Sequence, residues 1–398
     1  MSGPLTGLRV LDIATIIAAP SAATLLADYG AEVVKVELPG RGDGARGYPP
    51  FKDGKPLWWK VINRGKKFIT LDMRKPEGQA LLKRMLPRFD VLTENYRPGT
   101  LDRWGLDKGT LWSIQKRLVI LRASGFGQTG PYRRRPGFAR LFESIGGLTY
   151  ITGEPDGQPM HAGYPIGDSI GGLFAATGIL AALWRIARDP DAPGEEIDLA
   201  MSEATFKLLE FLAIGYDQLG KVHERSGNTS QYSAPSDVLR TADNRWVSLS
   251  GSTDALYANN CRTIGRPDLI DEPRYKTNNQ RVEHARELNS IFRDWVAGHT
   301  FDEVMAAVEQ HEGSMGPVYS IDQIFEDPQF AAREMITEVP DDDFGTVRMQ
   351  NVVPRFTNAP GKINHSAGAL GQDNDLVYRE WFGLSQGEFD DLQGKGVI

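Results

Sequence analysis

Short apolar runs alternate with helical patterns through the first third of the chain, and this alternation restricts the fold more than any other feature. Leu8 to Ile13 reads as a strand, Ala18 to Asp28 as a helix and Ala31 to Glu37 as a second strand. Phe68 to Asp72, Val91 to Glu94 and Leu118 to Ala123 repeat the strand signature, and Pro76 to Leu86 is a helix with proline in its first turn. Strands separated by helices pair through crossovers rather than hairpins, so the expected class is α/β: a Rossmann-like large domain with a parallel sheet covered on both faces.

The middle of the chain reads differently. A strand over Glu196 to Leu199 and a long helix over Ser202 to Leu219 give way to a polar loop, Lys221 to Pro235. Two strands follow, Asp237 to Thr241 and Trp246 to Ser250, joined by Ala-Asp-Asn. Amphipathic helices near 252–264, 278–297 and 301–311 complete a smaller α+β domain. The expected boundaries are 1–220 for the first part of the large domain, 221–315 for the small domain and 316–398 for a return to the large one. That last segment holds short strands near Pro317 and over Val347 to Val353, and a helix at Asp373 to Trp381.

Totals matter mainly for what they exclude. A net charge of -7 argues against nucleic acid or an anionic membrane as partner. The single cysteine, Cys261, rules out an internal disulfide and reads as a packing residue. The apolar stretch Ile170 to Ala187 is interrupted by Gly171, Gly172, Gly178 and Arg185, short of the roughly 20 clean residues of a membrane span. With no signal-peptide pattern at the start, the expectation is a cytoplasmic soluble protein.

Several chemistries fail on their residues. The first strand-to-helix turn, Ala14-Thr-Ile-Ile-Ala-Ala-Pro20, has no glycine for a dinucleotide pyrophosphate; the glycines at 40, 42, 44 and 47 come after the second strand. Gly167-Asp-Ser169-Ile-Gly171 matches the five-letter serine-hydrolase elbow, with His284, His299, His311 and His365 downstream, but the preceding His161-Ala-Gly-Tyr-Pro-Ile is a poor strand. The six histidines are scattered without metal-ligand spacing, so no metal site is expected, and Asp341-Asp-Asp343 reads as a solvated loop.

Asp168 remains. It follows a Pro/Gly turn in Gly163-Tyr-Pro-Ile-Gly-Asp168-Ser-Ile-Gly-Gly172 and precedes the small-residue helix from Ile170. An aspartate there is ordinarily a helix cap; buried near helix amides it is also placed to stay ionised and act as a nucleophile.

The surrounding motifs favour the second reading. Gly7-Leu-Arg-Val-Leu-Asp12, Leu26-Ala-Asp-Tyr-Gly-Ala-Glu-Val-Val-Lys-Val-Glu37, Asn63-Arg-Gly-Lys-Lys, Leu71-Asp-Met-Arg-Lys-Pro-Glu-Gly78, Glu94-Asn-Tyr-Arg-Pro-Gly99 and Ser124-Gly-Phe-Gly-Gln-Thr-Gly-Pro-Tyr132 occur in order, completed by the Asp168 block. From about Leu5 onward the chain resembles the class III CoA-transferases, the formyl-CoA and carnitine CoA-transferase family. The resemblance implies CoA transfer from an acyl-CoA, with succinyl-CoA a candidate donor, to a carboxylic acid acceptor. In the family the aspartate matching Asp168 forms first an aspartyl anhydride and then an aspartyl-CoA thioester. CoA is then part of the substrate, and no tightly bound cofactor is implied. Carried over by motif, CoA contacts fall on Ile17, Ala18, Leu71, Asp72, Met73, Arg74, Asn95, Tyr96, Arg97 and Arg103, and the acid pocket on Phe138, Ala139 and Arg140. Ser124 to Gly130 would supply oxyanion donors, and the run Arg133, Arg134, Arg135 and Arg140 would attract a carboxylate acceptor.

Three departures narrow the implication. Ile17 stands where formyl-CoA transferases often have glutamine, and Ala139 replaces their acidic residue. Gly227 to Asp237 lacks the glycine run that acts as a lid in some members. The α-methylacyl-CoA racemases of the same fold are the alternative, but Phe138 stands where their histidine base falls. A non-catalytic CoA-binding subunit would keep the arginines and tend to lose Asp168. The resemblance also implies a homodimer of interlocked, ring-like subunits.

Overall fold

A computed structural model describes residues 3–398. The chain gathers into two compact units: one comprises the residues up to Leu148, His161–Leu219 and Gln329–Ile398, the other Thr149–Met160 and Gly220–Pro328.

In the first unit, β1 (Arg9–Asp12), β2 (Glu32–Glu37), β3 (Lys66–Thr70), β4 (Val91–Glu94), β5 (Val119–Ser124) and β6 (Glu195–Ala200) form one sheet. Its order is β3-β2-β1-β4-β5-β6, and every pairing is parallel. Side chains alternate between faces with the two-residue strand period. Val10 and Val33 join the cluster built on α1 (Ala18–Asp28), while Leu11 and Val34 join the cluster built on α2 (Pro76–Met85). The strand order reverses between β1 and β4. In such sheets the crevice outside the carboxyl ends of the two diverging strands is where ligands bind.

Three helices bring Asp168 to that crevice: α3 (Ala139–Ile145), α4 (Ile166–Arg188) and α5 (Met201–Lys207). Close approach of α4 to its neighbours depends on its glycines. A Cβ on Gly171 would lie 1.9 Å from Met201 Cε of α5, and one on Gly172 would lie 2.9 Å from Ser21 Cβ of α1.

The sequence places the start of this helix at Ile170 with Asp168 as its cap. Helix α4 instead begins at Ile166, behind Pro165, and Asp168 is its third residue. The added turn makes it 23 residues, long and apolar enough by composition to cross a membrane, contrary to the sequence reading. Its face of Gly167, Gly171, Ala175, Ile179, Ala182 and Ile186 is buried, as an amphipathic stripe at three- and four-residue spacing should be.

The helix expected over 202–219 is broken at Leu208–Leu209 into Met201–Lys207 and Glu210–Leu219. The strand near Val347 is Gly345–Gln350, and it pairs with Ile336–Asp341, which the sequence did not announce.

The second unit carries a three-stranded antiparallel sheet of Ser236–Arg240, Trp246–Ser250 and Met315–Pro317. Met315–Pro317 therefore belongs here and not to a segment returning to the first unit, because Val247 and Leu249 pair with Pro317 and Met315. The helix expected over 278–297 breaks at His284. Cys261 is buried in this unit's core, and burial pushes its thiol up to about 11, which suits packing rather than nucleophilic chemistry.

Candidate active site

Residues following β1, β4 and β5 enclose a cavity of about 340 Å³ at the point where the strand order reverses. Thr15 to Ala18 come from the β1–α1 turn, Asn95 to Pro98 follow β4, and Ala123 to Gly125 end β5. Asp168, Phe142, Met201, Tyr48, Phe138, Arg133 and Arg135 also line the cavity.

The β1–α1 turn is held by unusual means. Ile16 adopts φ 70°, a left-handed conformation that costs a β-branched side chain of order 1–3 kcal/mol. Both Asp43 carboxylate oxygens accept the Ile16 N–H, at 3.0 and 3.1 Å. Lys35 lies 3.0 Å from Asp43 and also donates to the Ala14 carbonyl. Asn95 reaches across from β4, accepting from Thr15 N–H at 2.8 Å and donating to the Thr15 carbonyl at 2.7 Å. The turn thus obtains from a carboxylate and an amide what glycines provide in dinucleotide folds. Helix α1 then starts at Ala18 without a side-chain cap, leaving first-turn amide donors without intrahelical acceptors.

Asp168 is 9% exposed. Among the described residues nothing donates a hydrogen bond to its carboxylate and no cation pairs with it. Its first-turn position favours the ionised form, but burial, and then the charge of Glu143, push its carboxyl up to about 7. Glu143 on α3 is buried and accepts the Gly167 N–H at 2.9 Å; its other oxygen lies 3.5 Å from His161 Nδ1. Ser169, by contrast, turns its hydroxyl to the Pro165 carbonyl of its own helix at 3.5 Å, and no strand leads into that helix. The serine-hydrolase elbow is absent.

A second cavity, also about 340 Å³, shares Thr15, Ile16 and Tyr96 with the first. It is lined further by Leu71, Asp72, Met73, Arg74, Arg41, Asp43 and Trp104. Asp72 holds Arg74 through two 2.8 Å hydrogen bonds. Tyr96 packs edge-on against Trp104, with ring centroids 5.2 Å apart, and burial pushes its phenol up to about 12.

The structure thus gathers Ile17, Ala18, Asn95, Tyr96, Arg97, Phe138 and Asp168 at the first cavity, and Leu71 to Arg74 with Tyr96 at the second. Three sequence candidates line neither. Arg103 donates to Thr100 Oγ1 at 3.0 Å at the surface, Ala139 is buried at the start of α3, and Arg140 is exposed. Asn95 is present, but its amide is already engaged by Thr15. Sequence reasoning missed Asp43, Glu143 and Arg41. The Gly40-Arg-Gly-Asp-Gly44 loop signalled Asp43 and Arg41, whereas Glu143 carries no motif of its own. Among the described residues no cluster of three metal-ligating side chains occurs.

A model of CoA-transferase family III matches residues 5–374. The succinyl-CoA–D-citramalate CoA-transferase of Chloroflexus aurantiacus is 40% identical over 396 residues, covering 99% of this chain and 98% of that one. The beta subunit of the succinyl-CoA–L-malate CoA-transferase of the same organism is 38% identical, with coverage of 99% and 98%. Among solved structures, a CAIB/BAIF family protein from Brucella suis superposes with a TM-score of 0.82 at 30% identity, covering 96% of this chain and all of that one.

Proposed function

Because the chain belongs to CoA-transferase family III, we propose that it moves CoA from succinyl-CoA to a short dicarboxylic acid, with Asp168 as the covalent nucleophile. CoA transfer itself follows from the family. The donor, the acceptor and the aspartyl route are the proposal, and the two relatives named above, which use succinyl-CoA with citramalate or malate, support the choice of acids.

The observation that carries the mechanism is the unpartnered, buried Asp168 carboxylate on the cavity wall. A carboxylate deprived of hydrogen bonds keeps its lone pairs for attack. Asp168 adds to the thioester carbonyl and expels CoA thiolate, leaving an aspartyl–succinyl anhydride. The thiolate then attacks the aspartyl carbonyl, releasing succinate and leaving an aspartyl-CoA thioester. The acceptor carboxylate attacks that thioester and displaces the thiolate, which attacks the acceptor-side carbonyl of the new anhydride. Acyl-CoA leaves, and the Asp168 carboxylate is restored. No step loses the thioester's free energy to water, provided that the anhydride is shielded.

Each tetrahedral intermediate carries an oxyanion. The uncapped first turn of α1 and the backbone at Ser124 and Gly125, which line the cavity, are the donors at hand, whereas the Gln128 amide further along that loop is taken by Asp198. The second cavity, with Tyr96, Trp104, Arg74 and Arg41, is a place for the nucleotide end of CoA. Phe138, with no histidine on the cavity wall, speaks against α-proton exchange.

The test is incubation with succinyl-CoA, trapping with hydroxylamine and mapping of the modified peptide. Modification is expected at Asp168, and Asp168→Asn should lower kcat by about 10³ or more, equivalent to about 4 kcal/mol. An unmodified Asp168, or an active Asn variant, overturns the route.

A further inference from the structure

Glu143 has no part in the steps above, yet it holds the residue next to Asp168 and, among the described residues, is the carboxylate whose charge raises it. It is 1% exposed. A Cβ on Gly167 would meet its Cγ at 3.3 Å and the Ala139 carbonyl oxygen at 3.2 Å, so α3 and the first turn of α4 are in contact at this residue. Its Oε1 holds the amide of the residue preceding the nucleophile. A neutral glutamine would make that hydrogen bond equally well, so packing does not account for the charge. The charge is also poorly compensated: its cationic neighbour is His161, at 3.5 Å and charged only when protonated. Burying a carboxylate on such terms is unfavourable.

Resting on the assignment of Asp168 as acyl acceptor, we propose that Glu143 is a positioning residue that fixes the first turn of α4 through Gly167, and whose negative charge drives acylation of Asp168. While Asp168 is a free carboxylate, two like charges are buried close together, one of them holding the amide of the residue next to the other. When its oxygen forms the anhydride or the thioester, its charge leaves with the departing thiolate or succinate and the repulsion ends. Glu143 therefore destabilises the free nucleophile relative to both covalent intermediates, and it does so at every turnover.

The other charged and titratable groups around Asp168 do not act in this way. His161 lies beside Glu143 in the stretch leading into α4 and weakens its charge on protonation. Arg97, Arg133 and Arg135 line the cavity, and among the described residues none of them pairs with the Asp168 carboxylate. Tyr48 and Tyr96 are also on the wall, and burial keeps the Tyr96 phenol protonated.

Glu143→Gln keeps a hydrogen-bond acceptor for Gly167 and removes the charge. The measurement is the pH profile of kcat/KM from pH 5 to 9, together with the fraction of enzyme trapped by hydroxylamine at saturating succinyl-CoA. In the wild type the acidic limb should fall near pH 7. In Glu143→Gln it should move down by about one pH unit or more, and the trapped fraction at pH 8 should fall several-fold. An unmoved limb overturns the proposal, as does a uniform loss of rate with an unmoved limb, which is what a purely structural role would give.

Glu143→Asp provides the check if the glutamine variant folds poorly. It keeps the charge and strains the Gly167 contact, so kcat should fall while the limb stays near pH 7. A limb displaced downward in this variant also overturns the proposal. Failure of the Asp168 assignment is separately visible, since then no adduct forms on Asp168 in any of these proteins. An Asp168 adduct with an unmoved limb in Glu143→Gln defeats the role of Glu143 alone.

Discussion

Asp12 and Asp168 lie in the same unit, both buried, and their surroundings treat them in opposite ways. Asp12 ends β1 and is fully enclosed. One of its oxygens accepts from Thr93 Oγ1 at 2.9 Å and from Ala14 N–H at 3.2 Å; the other takes Lys66 Nζ at 2.8 Å. Lys66 goes on to the Pro20 carbonyl and Asn63 Oδ1, each at 2.8 Å, and Lys35 links Asp12 to Asp43. Burial by itself would raise the Asp12 carboxyl, but the two lysines and these hydrogen bonds bring it below the ordinary aspartate value. Asp168 has none of these partners, so burial, and then the charge of Glu143, raise its carboxyl instead. The difference separates two uses of a buried charge. A carboxylate with both oxygens engaged fixes a backbone turn, whereas one left wanting partners is available to make a bond.

Breaking the engaged one should have the largest effect on the fold. Asp12→Ala leaves Lys66, fully enclosed, without its carboxylate, and the cost of such a loss is about 3–5 kcal/mol. Urea denaturation at pH 7 measures it. A cost below about 1 kcal/mol would show that the network is not what supports the β1–α1 turn.

Asp168→Asn should do the reverse and stabilise the protein. The folded-state value of about 7 lies above the ordinary aspartate value of 3.8. Ionising Asp168 therefore costs folding free energy that is absent below the unfolded value and fully present above the folded one. As pH rises from 4 to 8 the wild type should lose stability relative to the Asn variant, by roughly 2–4 kcal/mol at the upper end. Thermal unfolding of both proteins at pH 5 and pH 8 checks the sign. An Asn variant less stable at pH 8 would mean that Asp168 is a structural group like Asp12.

The engaged network was hard to see in the sequence and the reactive aspartate was easier, for a physical reason. Strand positions announce themselves by apolar runs, so β1, β2, β4 and β5 fall within a residue or two of their expected places, and α1 matches at both ends. Lys35 sits inside such a run as an isolated charge and Lys66 in the basic stretch Arg64-Gly-Lys-Lys67 just before one, and nothing local says that Asp12 and Asp43 will meet them. Asp168 stood out through its motif and the company of other motifs. Its position within the helix was misjudged because Pro165 permits an earlier start than the run of small residues suggests. Glu143 was invisible for the same reason as the lysines: its partner at Gly167 is 24 residues away along the chain. Arg103 and Arg140 differ again: each sits next to a motif but lines neither cavity, because adjacency along the chain does not fix which way a surface side chain turns.

Arginines extend the comparison to its smallest expected effect. Among the described residues Arg97, Arg133 and Arg135 form no ion pair although they line the cavity of Asp168, and Arg135 is held with its guanidinium carbon 3.7 Å over the Tyr132 ring. Stacking of this kind fixes a cation without neutralising it. If groups left without ionic partners are the ones kept for substrate, Arg135 should meet the carboxylate of a dicarboxylic acceptor that is not undergoing reaction. Arg135→Ala is then expected to raise KM for succinate-like acceptors about tenfold, near 1.4 kcal/mol, with little change for a monocarboxylate of equal length. Arg103→Ala, at the surface and outside both cavities, should change KM for either acceptor less than about twofold. Steady-state kinetics with the paired acceptors separates the outcomes. An equal rise for both acids would reduce Arg135 to general electrostatic attraction, because only a direct contact with the second carboxylate can tell one acid from the other.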